Sequence, residues 1–330
     1  MAKEDRIKII RKIERRLNSN VICYLTGDRP GPLTTKIADD AVKLFKYHLE
    51  RFSNRKKRLD LFLYSRGGDM ITPLRLVRLI RENCSSFNVI IPHRAHSAAT
   101  LISLGANNII MHQLGELTPV DPTTMHPFNP EDPNNPKKKM AISVEDLTSY
   151  FLLAKEKADV QNDQMVNVFS ELKNVLHPLS LGNVYRGYRM VRLLTEKLLK
   201  LHMKTSKRVT KILKNLNEYL CIHNYPIARE EAKKDIGLDV IYPDPILERY
   251  IWSLFKEYES EMKLSEPFNP QLMIQDNQPT DFSYNGAFIE SKNRTDAFEF
   301  KGTISPVAGP SGQISSANVN ITSSVWKELD

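Results

Sequence analysis

The chain has 330 residues, of which 41% are hydrophobic and 26% charged, proportions that indicate a globular protein with one large α/β domain and additional segments. No apolar run reaches the roughly 20 residues that cross a bilayer, and the charged N-terminus leads into no secretory signal, so we expect no membrane span. The net charge of +8 leaves nucleic acid open as a partner, but no aromatic-interleaved basic motif or zinc finger supports it.

The number and spacing of the cysteines indicate the redox state of the compartment in which the protein is found. Cys23, Cys84 and Cys221 are far apart, odd in number and without the spacing of zinc ligands. We therefore expect free thiols, a cytoplasmic location and no metal site. No Gly-x-Gly-x-x-Gly run follows a predicted strand, so no dinucleotide site and no cofactor are expected.

The first third of the chain alternates between helical and strand patterns. Helices are predicted over 4–18, 35–52, 72–83 and 98–105, and short buried strands over 21–25, 59–64, 88–92 and 108–112. This alternation predicts a mainly parallel sheet with crossover helices.

The rest of the chain is mostly helical and ends in strands. Residues 126–139 are rich in Pro, Asn and Lys and predict an exposed loop. Helices are predicted over 143–172, 183–202, 206–220, 230–234 and 245–261, with a strand at 239–242. Two β-favouring runs around residues 292–294 predict a hairpin. We expect a hydrolase domain at 1–262 and a C-terminal β-rich extension at 263–330.

Two predicted strand-to-helix turns carry residues suited to acyl transfer. Gly67 and Gly68 allow the backbone to approach a ligand closely, so their N–H groups could stabilise an oxyanion, worth about 3–4 kcal/mol per donor. Ser97 opens a helix of small residues, where the helix dipole favours negative charge. Taken singly, the glycines also fit an ordinary turn and Ser97 an ordinary helix cap.

Taken together, the motifs resemble the serine dehydrogenase proteinase family, which is related to the Clp proteolytic subunit and signal peptide peptidase A. The resemblance covers about residues 5–260. It rests on Ser65-Arg66-Gly67-Gly68-Asp69, His96-Ser97-Ala98-Ala99-Thr100-Leu101-Ile102-Ser103-Leu104-Gly105-Ala106, Leu117-Thr118-Pro119-Val120-Asp121-Pro122 and His223-Asn224-Tyr225-Pro226-Ile227.

The resemblance implies a Clp/crotonase-like spiral of βα units with a mainly parallel sheet, extra C-terminal helices and a short β tail. It also implies a homo-oligomer that cleaves peptide bonds in peptides or proteins without a metal. Ser97 would be the nucleophile, and backbone N–H groups of Gly67, Gly68 and Ala98 would form the oxyanion hole.

The general base is not determined by the motifs. His223 lies in the last family motif and is the candidate base, with Asn224 as the candidate orienting residue and Asp121 as a weaker one. His96, the sequence neighbour of Ser97, is expected to point away, and His112 is expected to be structural.

Departures from the family pattern at Ala99, Thr118 and Asn224 keep two alternatives open. One is a catalytically weakened or inactive scaffold or binding protein. The other is an acyl hydrolase on the same fold that does not act on peptides.

Overall fold

We analysed the protein in a computed structural model, which describes residues 3–52, 57–120, 123–216, 224–274, 278–308 and 314–329. Three predicted positions, Asp121, Cys221 and His223, lie outside these residues.

An eight-stranded sheet forms the centre of the molecule. Its strands in spatial order are β12 (Val240–Ile241), β5 (Asn108–Met111), β3 (Phe87–Ile91), β2 (Leu59–Tyr64), β1 (Asn20–Thr26), β13 (Thr280–Ser291), β14 (Arg294–Ala308) and β15 (Ile314–Leu329). The first five run parallel, whereas β13 joins β1 antiparallel and continues into β14 and β15.

Short strands form three smaller sheets beside the central one. They comprise β4 (Arg94–Ala95) with β6 (Glu116–Leu117) and β11 (Ile227–Ala228), β7 (Thr123–Thr124) with β10 (Ile142–Ser143), and β8 (Glu131–Asp132) with β9 (Asn135–Lys139).

The helices cover both faces of the central sheet. They are α1 (Lys3–Leu17), α2 (Asp40–Glu50), α3 (Thr72–Glu82), α4 (Ala98–Leu104), α5 (Val144–Glu156), α6 (Met165–Val175), α7 (Pro178–Lys200), α8 (Ser206–Lys214), α9 (Arg229–Glu231), which continues as a π-helical turn (Ala232–Ile236), and α10 (Pro245–Glu261). A 3₁₀ turn follows at Gln271–Met273. Among the described residues, no helix has the length and apolar character needed to cross a membrane.

Strand β1 shows why the sheet is buried. Ile22 and Tyr24 pack with α2, α3, α4 and α7 on one face, while Val21, Cys23 and Leu25 pack with α1 and α10 on the other. Because both faces are covered, the strand is a continuous apolar run, as parallel sheets require. The predicted α/β fold class with a mainly parallel sheet is confirmed.

Three predicted elements differ from the structure. The helix predicted from residue 35 begins at Asp40, because the backbone of Ile37 pairs with Gly68 instead of turning into a helix. The helix predicted over 143–172 is divided into α5 and α6. The predicted loop at 126–139 contains the β8–β9 hairpin. The helix predicted over 206–220 is observed as α8 followed by π-helical backbone to residue 216, and residues 217–220 lie outside the described residues.

The C-terminal hairpin prediction is confirmed, since Ser291 pairs with Arg294 across a two-residue turn. Strand β13 pairs with β1, so the segment after residue 263 completes the central sheet. The boundary at 262/263 remains a prediction.

Candidate active site

The two turns singled out in the sequence lie against each other. β2 ends beside β4, where Ser65 pairs with Ala95, and the chain then passes through Gly67 on one side and Ser97 on the other. A Cβ atom built on Gly67 would lie 2.8 Å from the Cβ of Ser97, so only glycine permits this approach. The predicted pairing of the glycine turn with Ser97 is therefore a contact in space.

Ser97 has an unusual backbone conformation. Its φ of 53° and ψ of −112° place a non-glycine residue at positive φ, immediately before α4. Its N–H donates to the hydroxyl of Thr118 at 2.9 Å, and that hydroxyl donates to the carbonyl of Pro119 at 3.1 Å. Thr118 thus holds the serine backbone, and strain that a surrounding network maintains is a common property of active sites.

Hydrogen bonds also fix the turn at Gly67 and Gly68. The N–H of Gly67 donates to Ser65 Oγ at 2.9 Å, so it is already engaged. Ile37 donates to the Gly67 carbonyl and accepts from Asp69, leaving the intervening Gly68 N–H outside this pairing. Within the described residues, the N–H groups of Gly68 and Ala98 have no hydrogen-bond acceptor. These two are the donors that a ligand at Ser97 could use.

Ser97 and Gly68 open into a cavity of about 960 Å³. One wall is the loop 27–36, which Leu33 anchors in an apolar cluster with Phe268. Residues of α7 and β7 form another part of the lining. The described lining residues are Gly27, Asp28, Arg29, Pro30, Gly31, Thr34, Thr35, Lys36, Arg66, Gly67, Gly68, Met70, Ser97, Thr123, Thr124, Asn183, Arg186, Gly187 and Met190.

Asp28 is the one acidic side chain among these lining residues, and it is fully engaged. Its Oδ1 accepts from Tyr64 Oη at 2.6 Å, and its Oδ2 pairs with Arg66 at 2.6 Å and with Arg94 at 3.0 Å. Burial, together with the neighbouring Asp28 carboxylate, raises the pKa of Tyr64, so this phenol stays protonated.

The described residues bring no strong base to Ser97. Its Oγ contacts Met70 Sδ at 3.9 Å, a weak acceptor and its sole hydrogen-bond partner within the described ranges. Asn224 is exposed, three residues before Ile227, which pairs with Leu117 next to Thr118. Asp121 and His223 remain predicted site residues outside the described ranges.

The other predicted polar residues have structural partners. His96 Nε2 lies 3.0 Å from Glu116 and is directed there, as expected. His112 is buried and stacks on the indole of Trp252 at a centroid distance of 5.0 Å, which agrees with the structural role predicted for it. In the part of the chain that the structure describes, no group of three or more His, Cys, Asp or Glu side chains could hold a metal.

A second serine, missed in the sequence, has the side-chain partners that Ser97 lacks. Ser291 Oγ lies 2.9 Å from His48 Nδ1, and His48 Nε2 lies 2.9 Å from Asp296 Oδ2. The exposed fractions of these three side chains are 0%, 0% and 1%, so no substrate reaches them. Because 243 residues separate His48 from Ser291, sequence spacing gives no sign of this contact.

Burial and hydrogen bonding together set the pKa values of His48 and Asp296 in this second cluster. Burial lowers the pKa of His48 below its ordinary value, although the hydrogen bond with Asp296 acts in the opposite direction. Burial acts to raise the pKa of Asp296, but hydrogen bonds from His48 and Arg294 bring it below its usual value. The cluster therefore holds a neutral imidazole against a carboxylate, with the Nε2 proton donated to Asp296.

Comparisons with known proteins identify the family of the chain. The profile of the ClpP-like SDH-type serine proteinases matches residues 1–177. An uncharacterized protein of Methanocaldococcus jannaschii is 25% identical over 267 residues, covering 78% of this chain and 80% of its own. A second uncharacterized protein of that organism is 28% identical over 127 residues, covering 36% of this chain and 41% of its own.

Among solved structures, a membrane-bound stomatin-specific protease in complex with a substrate peptide is similar. That match has 14% sequence identity and a TM-score of 0.36, and it covers 69% of this chain and 78% of the other. The chain belongs to the ClpP-like SDH-type serine proteinase family, because the family profile spans more than half of its length.

Proposed function

We propose that this protein is a serine peptidase in which Ser97 attacks the carbonyl carbon of a peptide bond. The observation that carries the proposal is the strained turn of Ser97, placed in one cavity with the N–H of Gly68 and beside that of Ala98. Family membership supports the same reaction class.

The positions of these groups support the following reaction. Ser97 Oγ bonds to the carbonyl carbon, and the carbonyl oxygen gains negative charge that the Gly68 and Ala98 N–H groups stabilise. Because the Gly67 N–H is bound by Ser65, we assign Gly67 the role of permitting the close approach of the two turns.

The serine proton needs an acceptor, which then protonates the amine as the C–N bond breaks and a Ser97 acyl-enzyme remains. Water then attacks this ester, gives its proton to the same acceptor, and releases the carboxylic acid and the free Ser97 hydroxyl. We propose His223 for this step, with Asn224 or Asp121 orienting its ring. The support is topological, since strand β11 begins three residues after Asn224 and lies beside β6, which leads to Thr118. Replacing His223 with Ala should abolish activity, while replacing His96 with Ala should not.

A fluorophosphonate probe tests the nucleophile directly. We expect the wild-type protein to be labelled on Ser97, identified by peptide mass spectrometry, and the Ser97→Ala variant to remain unlabelled. Absence of labelling in the folded wild type, or equal labelling of both proteins, would rule the proposal out.

Two alternatives remain from the sequence, and each has its own readout. An inactive binding protein is favoured by the weak contact of Ser97 Oγ with Met70, and full biological activity of Ser97→Ala would identify it. An acyl hydrolase that acts on esters or thioesters would be labelled by the probe but would not cleave peptides. The homo-oligomer and the cytoplasmic location stay predictions.

A further inference from the structure

The cavity at Ser97 has an unbalanced charge. Its described lining includes four basic side chains, those of Arg29, Lys36, Arg66 and Arg186, and a single acidic one, that of Asp28. A cleft lined by one sign of charge concentrates ligands of the opposite sign. A ligand can pair with those cations that are not already paired within the protein.

Two of the four basic groups already have partners. Arg29 is 7% exposed, donates to the carbonyl of Glu266 at 2.8 Å, and lies over the ring of Phe268. Arg66 pairs with Asp28, a carboxylate that it shares with Arg94, and Arg94 also pairs with Glu116 at 3.6 Å. Since 61% of the Arg66 side chain is exposed, it can still contact a ligand.

The other two basic groups have no carboxylate partner within the described ranges. Lys36 is exposed in the loop wall, one residue before Ile37, which pairs with Gly68. Arg186 is exposed on α7, in another part of the lining, and its guanidinium donates to the amide oxygen of Asn183 at 3.0 Å. An anion in the cavity would therefore meet cations from two parts of its lining.

We propose that the cavity selects peptides with a carboxylate close to the bond that Ser97 attacks, and that Lys36 and Arg186 recognise it. The carboxylate is either an Asp or Glu side chain or a free C-terminus. This inference names a substrate class for the proposed peptidase and rests on that function. Peptide binding can be measured without catalysis, so a binding experiment tests the carboxylate preference separately from the peptidase activity.

The experiment uses the full chain with Ser97→Ala, so that bound peptide is not cleaved. Fluorescent peptides of one length are compared by anisotropy: an acidic one with an amidated C-terminus, a neutral one with a free C-terminus, a neutral amidated one and a basic amidated one. We expect at least one carboxylate peptide to bind about 5-fold tighter than the neutral amidated peptide, and the difference to shrink at high salt. The tighter of the two carboxylate peptides identifies the source of the carboxylate.

Substitutions test whether Lys36 and Arg186 recognise the peptide carboxylate. Lys36→Gln and Arg186→Gln should each weaken binding of the carboxylate peptide about 2- to 5-fold. Arg189→Gln removes an exposed charge from the same helix outside the cavity lining and should change nothing. The double variant Lys36→Glu with Arg186→Glu should prefer the basic peptide.

Three results would overturn the inference. They are equal binding of all four peptides, an unchanged preference in the double variant, and tighter binding of a single-stranded oligonucleotide than of either carboxylate peptide. Probe labelling of unsubstituted Ser97 is read separately. Labelling without a peptide preference contradicts the carboxylate selection alone, while a preference without labelling contradicts the peptidase alone.

Discussion

Two serines of this protein have opposite surroundings. Ser97 opens into a cavity beside two unengaged backbone N–H groups, but within the described residues its hydroxyl meets just a methionine sulfur. Ser291 has a histidine and an aspartate in line, but all three side chains are buried.

The comparison teaches that side-chain identity does not define a nucleophile. A nucleophile needs access to the carbonyl carbon and donors for the oxyanion beside it, and in the function that we propose the backbone of the Ser97 and Gly68 turns supplies both. At Ser291 the same side-chain types connect α2 to the β13–β14 hairpin, which is a structural role.

The largest expected effect is the difference in fluorophosphonate labelling between the Ser97→Ala and Ser291→Ala variants. Ser97→Ala should reduce fluorophosphonate labelling by at least about 1,000-fold, because the attacking oxygen is absent. Ser291→Ala should be labelled at the wild-type rate, since its hydroxyl is inaccessible. Labelling that depends on Ser291 would reverse the assignment.

The second largest effect is expected for a substitution that displaces one proposed oxyanion donor, the Gly68 N–H, and leaves Ser97 in place. In Gly68→Ala the new Cβ would lie 2.1 Å from the carbonyl oxygen of Ile37, so the turn must shift and carry the Gly68 N–H with it. We expect the labelling rate to fall about 100- to 1,000-fold. Gly182→Ala is the matched control, because its Cβ meets nothing within 4 Å, and it should be labelled normally. Circular dichroism must show that both variants are folded.

A third change tests the structural role of the other cluster. His48→Ala leaves the buried Ser291 hydroxyl without its partner and a cavity where the ring stood, while Asp296 keeps its hydrogen bonds from Arg294, so the free energy of unfolding should fall by about 2–4 kcal/mol. Urea denaturation measures this loss, and labelling of Ser97 under native conditions should persist. Unchanged stability would show that the cluster does not connect the hairpin to α2.

The smallest effect is a pH dependence at the same cluster. The pKa of His48 is lowered from 6.5 in the folded protein, so the unfolded chain binds more protons below that pH. The stability from His48 is therefore complete above about pH 6.5 and decreases as the pH falls towards the folded pKa. Asp296 acts similarly only below 3.8, while Arg294 and Glu290 are the other charged groups facing the ring.

This dependence is measured as the unfolding free energy of wild type minus that of His48→Gln, between pH 7 and pH 5. We expect the difference to decline with acidification by up to about 1 kcal/mol per pH unit. The subtraction removes the contributions of the other histidines. A pH-independent difference would mean that His48 titrates alike in the folded and unfolded chain.

The parallel α/β core and the glycine and serine turns could be predicted from the amino-acid sequence alone. Strand β1 reads as a buried run because both of its faces are covered, and glycine is recognisable at a turn because few other residues tolerate its conformation. The same local signals predicted the C-terminal hairpin. All of these features depend on residues close together in the chain.

Contacts between residues far apart in the chain could not be predicted in this way, because they depend on how the elements pack. Ile37 pairs with Gly68 and so delays the start of α2, Thr118 fixes the backbone of Ser97, and Arg186 on α7 reaches the cavity. His48 and Ser291 meet for the same reason, that folding brings together elements far apart in sequence. Periodicity and spacing report local conformation and which face is buried, and they contain no information on which buried faces pack together.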